Sequence, residues 1–254
     1  MSENIKVSRQ GRVQILTISR PDRKNALTQE MYAALADGID EADQDDALRA
    51  TLITGEGDVF TSGNDISDFA TVAASTPDNP PPVFKFLKTI LNAKKPIVAA
   101  VNGPAVGVGL TLLLHCDIAY GAESSTFRAP FVKVGVVPEA ASSLLLPRVV
   151  GMSMANEIML GSRVLTASEA LTHGLISRLV PDAELMATSL QMAETLASLA
   201  PGAMTQSKAL MRADRNEIDK RMDMEFEIFA ARLKTPEFAE ATAAFLQKRE
   251  ANFD

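Results

Sequence analysis

A single cysteine among 254 residues, Cys116, has no partner for an internal disulfide. The two histidines, His115 and His173, stand in no Cys/His cluster with metal-ligand spacing. Neither has a Ser, Cys or acidic partner at a telling spacing, so both read as structural. No apolar run reaches transmembrane length, and the polar, charged start of the chain offers no signal peptide. The last residues, Ala251-Asn252-Phe253-Asp254, are not a Ser-Lys-Leu address, and a cytoplasmic protein without a membrane partner is expected. Lys+Arg 25 against Asp+Glu 32 gives a net charge of -7, which argues against a nucleic-acid partner. Nucleotide signatures are missing too. Leu110, Thr111 and Leu112 follow Gly107-Val108-Gly109 where a dinucleotide fingerprint needs a third glycine, and there is no Gly-Lys-Ser/Thr. What is present is 46% hydrophobic residues, ample for one large domain or a core with an appendage.

Val13, Ile15 and residues 17–19 read as a strand ended by Pro21, while Met31, Leu35, Ile39 and Ala42 recur at helical spacing. Further strands are expected at residues 50–54, 97–101, 118–121 and 175–180, with helices between them, which predicts an α/β core. Thr166-Ala167-Ser168-Glu169 has capping-box spacing and Gly174 sits where that short helix would end. From Asp182 onward the pattern is helical. The proline cluster at residues 77–82 breaks any element, so residues 67–82 read as a loop.

Two glycine-rich turns carry the chemistry. Gly55-Glu56-Gly57-Asp58-Val59-Phe60-Thr61-Ser62-Gly63-Asn64-Asp65-Ile66 follows one apolar strand, and Asn102-Gly103-Pro104-Ala105-Val106-Gly107-Val108-Gly109 follows another. Such turns can leave backbone N–H groups unpaired. Two converging amides are what a developing oxyanion needs, which points to chemistry on a carbonyl or thioester.

These turns, with Lys95-Pro96-Ile97-Val98-Ala99-Ala100-Val101 before the second, Cys116-Asp117-Ile118-Ala119, Thr166-Ala167-Ser168-Glu169-Ala170 and Gly174-Leu175-Ile176 after it, resemble the crotonase (enoyl-CoA hydratase/isomerase) superfamily over nearly the whole chain. The resemblance implies a spiral core of repeated ββα units and a C-terminal helical oligomerisation region. The expected division is residues 1–195 for the core with its CoA-thioester site and 196–254 for the helices. It also implies an acyl-CoA substrate, no separate cofactor, no metal, and a trimer or dimer of trimers. The stretch 67–82 would then border the acyl pocket as a substrate-dependent lid, though an ordinary surface loop fits equally well.

Family hydratases carry two glutamates, and the matching positions here are Thr111 and Phe131; a phenyl ring moves no protons. The chain instead has Gly135-Val136-Val137-Pro138-Glu139-Ala140-Ala141-Ser142-Ser143. A carboxylate in that apolar setting has its pKa pushed up by desolvation, toward a useful general base. The plain alternative is that Pro138 and Glu139 open a helix over residues 139–146, where proline and an acid are both favoured. Ser-Gly-Asn-Asp-Ile, Thr-Phe-x-x-Pro-Phe and Pro-Glu-x-x-Ser-Ser together resemble the Δ3,Δ2-enoyl-CoA isomerase branch, in which this glutamate is the acid/base.

That branch implies Glu139 as proton shuttle and the amides of Asn64 and Val108 as oxyanion donors, Val108 departing from the glycine common there. It places CoA contacts at Arg23, Lys24 and Ala26, along Ser62, Gly63, Asn64, Asp65 and Ile66, and at Phe229 and Lys248; Lys24 and Lys248 read equally well as solvated charges. Another crotonase-fold enzyme, hydratase-like, and a non-catalytic acyl-CoA-binding relative are the competing readings. Near the C-terminus Met222, Phe226, Phe229 and Leu233, then Phe238, Ala241, Phe245 and Leu246, form stripes of the kind that is usually core.

Overall fold

The computed structural model describes residues 2–75 and 79–253. A hairpin of β1 (Ile5–Gln10) and β2 (Val13–Ile18) leads through α1 (Gln29–Gln44) to β3 (Ala50–Gly55). Next come α2 (Phe69–Ala73), α3 (Pro82–Asn92), β4 (Ile97–Val101), β5 (Ala105–Val106), α4 (Val108–Thr111), β6 (Ile118–Ala122) and β7 (Thr126–Arg128). Then follow α5 (Ser142–Val150), α6 (Met152–Met159), β8 (Leu165–Thr166), α7 (Ala167–Thr172) and β9 (Arg178–Val180). The chain closes with α8 (Leu185–Ser198), α9 (Pro201–Met211), α10 (Arg215–Arg232) and α11 (Pro236–Gln247).

The strands make two sheets, β1-β2-β3-β4-β6-β9 and β5-β7-β8. Each of β4 and β6 in the larger sheet is followed at once by a short strand of the smaller one, so the chain winds as β-β-helix turns, as expected. All pairings of the larger sheet except β1 with β2 are parallel. Parallel strands covered on both faces read as continuous apolar runs, and β4 is buried throughout. The period of two then sorts its side chains. Val98 and Ala100, with Leu52 of β3, meet Leu185, Ala193 and Ala197 of α8. Ile97, Ala99 and Val101 face the main core with α1 and α3.

The capping box forms in full: Thr166 accepts from the Glu169 amide, and Glu169 reaches back to the Thr166 N–H. Gly174 follows the helix at φ 77, and the chain from Asp182 onward is predominantly helical.

The sequence reading is corrected in four places. β1 was unforeseen because only Ile5 of its six residues is buried, an edge strand with no apolar alternation to show itself. Residues 67–82 are not one loop: a short 3-10 turn (Ile66–Asp68) and α2 fill the first part, and Pro82 opens α3, where its missing N–H costs nothing. Residues 76–78 of that stretch lie outside the described residues. The strand expected over 175–180 is confined to β9. No helix begins at Glu139; α5 starts three residues later, because Ala140 and Ala141 both have left-handed backbones at φ 59 and 54.

Candidate active site

The two glycine turns are laced together. Thr61 N–H donates to Pro104 O (3.2 Å), Val106 N–H donates to Thr61 O (3.0 Å), and Thr61 and Ala105 pair as a parallel bridge. Glycine is required on both sides of this seam. A Cβ on Gly63 would lie 2.9 Å from Val106 O, and Gly107, at φ 58 and ψ -118, has a backbone that side-chain-bearing residues avoid. The seam sets Asn64 and Val108 at the ends of adjoining turns. Asn64 pairs with Leu27 through its neighbours, Leu27 N–H to Gly63 O and Asp65 N–H to Leu27 O, which leaves its own amide out of the ladder. Val108 is the first residue of α4, where an N–H has no intrahelical acceptor. Among the described residues neither amide donates to a protein acceptor.

Asn64 and Glu139 line one cleft of about 440 Å³, its open mouth included. Apolar walls come from Phe69, Val72, Val83, Phe84, Leu87, Phe226 and Phe229. Glu139 is buried, and its Oε1 accepts from Thr111 Oγ1 at 2.5 Å while its Oε2 has no partner. Burial raises its pKa to about 8, against the Thr111 hydrogen bond, which favours the anion, and with help from the negative charge of Glu225. The two other acids of the cleft are tied down. Asp65 pairs with Arg20 (2.6 Å) and accepts from Ser67, which carries it to about 2 in spite of partial burial, and Asp68 accepts from the Gln29 amide at 2.7 Å.

The expected CoA segments are joined: Ser62 N–H donates to Lys24 O (3.0 Å), and Arg20 bridges Ala26 O and Asp65. Arg23 and Lys24 are exposed there, and the buried side chain of Asn25 holds the carbonyls of Glu56 and Val59. Phe229 lines the cleft from the same chain. Lys248 is exposed at the left-handed end of α11, and it is not among the described residues that line the cleft. Phe131 is buried. The helical stripes are corrected in part: α10 buries Ile218, Met222, Glu225 and Phe229, Phe226 faces the cleft, and Phe245 and Leu246 are exposed.

Three contacts that support the cleft residues escaped the sequence. Tyr32 of α1 is fully buried and its hydroxyl donates to Asn64 Oδ1. His115, whose ring burial lowers to about 4, makes a 2.8 Å Nε2 contact with Ala140 O. Glu225 accepts from the Ser143 amide at 3.0 Å. Of these, Glu225 alone had a sequence signal, since it falls three residues after Met222 and four before Phe229 in a buried stripe.

Residues 8–254 match the sequence profile of the enoyl-CoA hydratase/isomerase family. The chain belongs to that family. This enoyl-CoA hydratase/isomerase family member superposes on an enoyl-CoA hydratase/isomerase from Pseudoalteromonas atlantica T6c with a TM-score of 0.94, at 50% identity over 99% of this chain and 100% of that one. The fold is thus the α/β crotonase fold, and the chain is an acyl-CoA enzyme of that family. It is 36% identical over 220 residues to rat (Rattus norvegicus) enoyl-CoA delta isomerase 2, matching 85% of this chain and 56% of the relative, so it spans about half that protein's length. It is 34% identical over 256 residues to the 2,3-dehydroadipyl-CoA hydratase of Escherichia coli K12, matching 100% of this chain and 99% of the relative. Similarity therefore divides between isomerases and hydratases, and the chemistry of the cleft must distinguish them.

Proposed function

We propose that this protein is a Δ3,Δ2-enoyl-CoA isomerase. The observation that carries the reading is Glu139: it is the one cleft-lining acid with a buried, unpartnered oxygen and a pKa raised to about 8. Glu139 removes a proton from C2 of a 3-enoyl-CoA, the electrons move into the thioester, and the same carboxyl returns the proton at C4. The double bond then lies at the 2-position, conjugated with the thioester. The amides of Asn64 and Val108 stabilise the enolate oxygen, a role supported by their lack of protein acceptors. One carboxylate suffices for a shuttle, whereas hydration needs a second proton-handling group to activate water. Thr111 and Phe131 stand where that group would be, and Thr111 is engaged with Glu139 instead.

The CoA moiety lies along Arg23, Lys24, Ala26 and residues 62–66, with Phe229 and Lys248 contributing from the C-terminal helices. Three copies associate through those helices; the exposed apolar side chains of Leu210, Met211, Phe245 and Leu246 support this. The division at residues 195 and 196 is one of assembly rather than of the site, because Phe226 and Phe229 line the cleft.

The test is Glu139→Gln assayed on 3-enoyl-CoA thioesters. Loss of the general base lowers turnover by about a hundredfold to ten-thousandfold, with folding and thioester affinity retained. Near-native turnover would remove Glu139 from the mechanism.

A further inference from the structure

Glu139 is followed by two alanines in left-handed conformations, at φ 59 and 54. A residue bearing a Cβ adopts each such conformation only against a steric penalty. The turn persists only because its surroundings over-determine it. Two buried side chains from other parts of the chain hold it. His115, just beyond α4, contacts Ala140 O at 2.8 Å, and its neutral ring serves there as donor. Glu225, on α10, takes the Ser143 amide at 3.0 Å and also interacts with the Ala141 amide. Glu225 is 5% exposed and its Oε2 has no partner. A carboxylate in the buried stripe of α10 is costly, and an apolar residue would pack there without that cost.

We propose that Glu225 is a positioning residue for Glu139, its carboxylate clamping the strained turn at the start of α5 while its negative charge acts on the catalytic carboxyl across that turn. This rests on the isomerase reading above. The groups that face the pair are few. On α10, Arg221 reaches Ser143 Oγ (3.3 Å) and favours the Glu225 anion, as do the amides of Ser143 and Ala141, against the burial that raises it. Around Glu139 stand the Thr111 hydroxyl from α4 and, from α1, the phenol of Tyr32, which burial and the charges of Glu139 and Asp68 hold neutral. Asp65 and Asp68, at the cleft mouth, are occupied by Arg20 and the Gln29 amide.

Two substitutions separate clamp from charge. Glu225→Gln keeps the shape and an acceptor for Ser143 but deletes the charge. Glu225→Ala deletes both. The readouts are the pH dependence of kcat/KM on a 3-enoyl-CoA and, independently of activity, the titration of Glu139 by NMR in protein carrying 13C-carboxyl glutamate, assigned with Glu139→Gln. Glu225→Gln is expected to move the Glu139 midpoint down and the catalytic limb with it. Glu225→Ala is expected to lower kcat tenfold to a hundredfold with little change in KM. An unmoved NMR midpoint in Glu225→Gln overturns the proposal, whether or not the alanine variant folds. A midpoint that moves while the rate limb stays put upholds the coupling between the two carboxyls and removes Glu139 as the base.

Discussion

Thr111 Oγ1 and Glu139 Oε1 lie 2.5 Å apart, a buried hydroxyl donating to a buried carboxylate. A hydroxyl and a second carboxylate at that place would act on Glu139 in opposite senses. A second negative charge would raise Glu139 further, while the hydroxyl favours the ionised form that the proposed isomerisation requires.

Thr111→Val removes that donor and keeps the volume. A hydrogen bond to a charged group contributes about 1.5–3 kcal/mol, so the Glu139 pKa rises by about one to two units. At pH 7 kcat/KM falls about tenfold or more, and most of the loss is recovered above the raised midpoint. A loss of the same size at every pH would show that Thr111 acts through packing alone.

Burial of Glu139 also links catalysis to stability. Folding raises its pKa from 4.5 to about 8, so the folded chain keeps a proton that the unfolded chain gives up. The stabilisation from this is complete below pH 4.5 and is lost as pH rises through about 8. Glu139→Gln carries no such charge. Its melting temperature is expected to gain on the native protein between pH 5 and 9, by the equivalent of at most about 5 kcal/mol. Parallel melting curves across that range would place Glu139 in a solvated environment.

Val108→Pro removes the N–H at the first position of α4, where proline is compatible with a helix, and puts a ring in place of the isopropyl group. Val108→Gly keeps the N–H and gives up a buried side chain, at a cost in stability of about 1.5–3 kcal/mol. Activity is expected to survive in the glycine variant and to fall in the proline variant by a factor matching about 2.7–4 kcal/mol of barrier. Equal losses in two folded variants would assign the role to the valine side chain.

Much of the candidate site was legible because it is encoded locally. Gly63, Gly107 and the Pro138-Glu139 pair each declare a backbone or chemical requirement within a few residues, and the apolar runs of β3 and β4 declare a covered parallel sheet. The support around them is encoded at a distance. Tyr32 meets Asn64 across 32 residues of sequence, His115 meets Ala140 across 25, and Glu225 meets Ser143 across 82. No periodicity joins such pairs. The paired left-handed alanines were hidden for another reason: alanine is the best helix former, so Pro-Glu-Ala-Ala reads as a helix start until tertiary contacts override it. β1 was missed because an edge strand with one buried side chain has no pattern to display.

The most direct measurement compares two reactions of the native protein on one acyl chain, isomerisation of the 3-enoyl-CoA and hydration of the 2-enoyl-CoA, under the same conditions. With Glu139 as the proton shuttle of the proposed isomerase, isomerisation is expected to proceed readily and hydration to be slow or undetectable. Hydration as fast as isomerisation would contradict the account, and would mean that water is activated by a group other than Thr111 or Phe131.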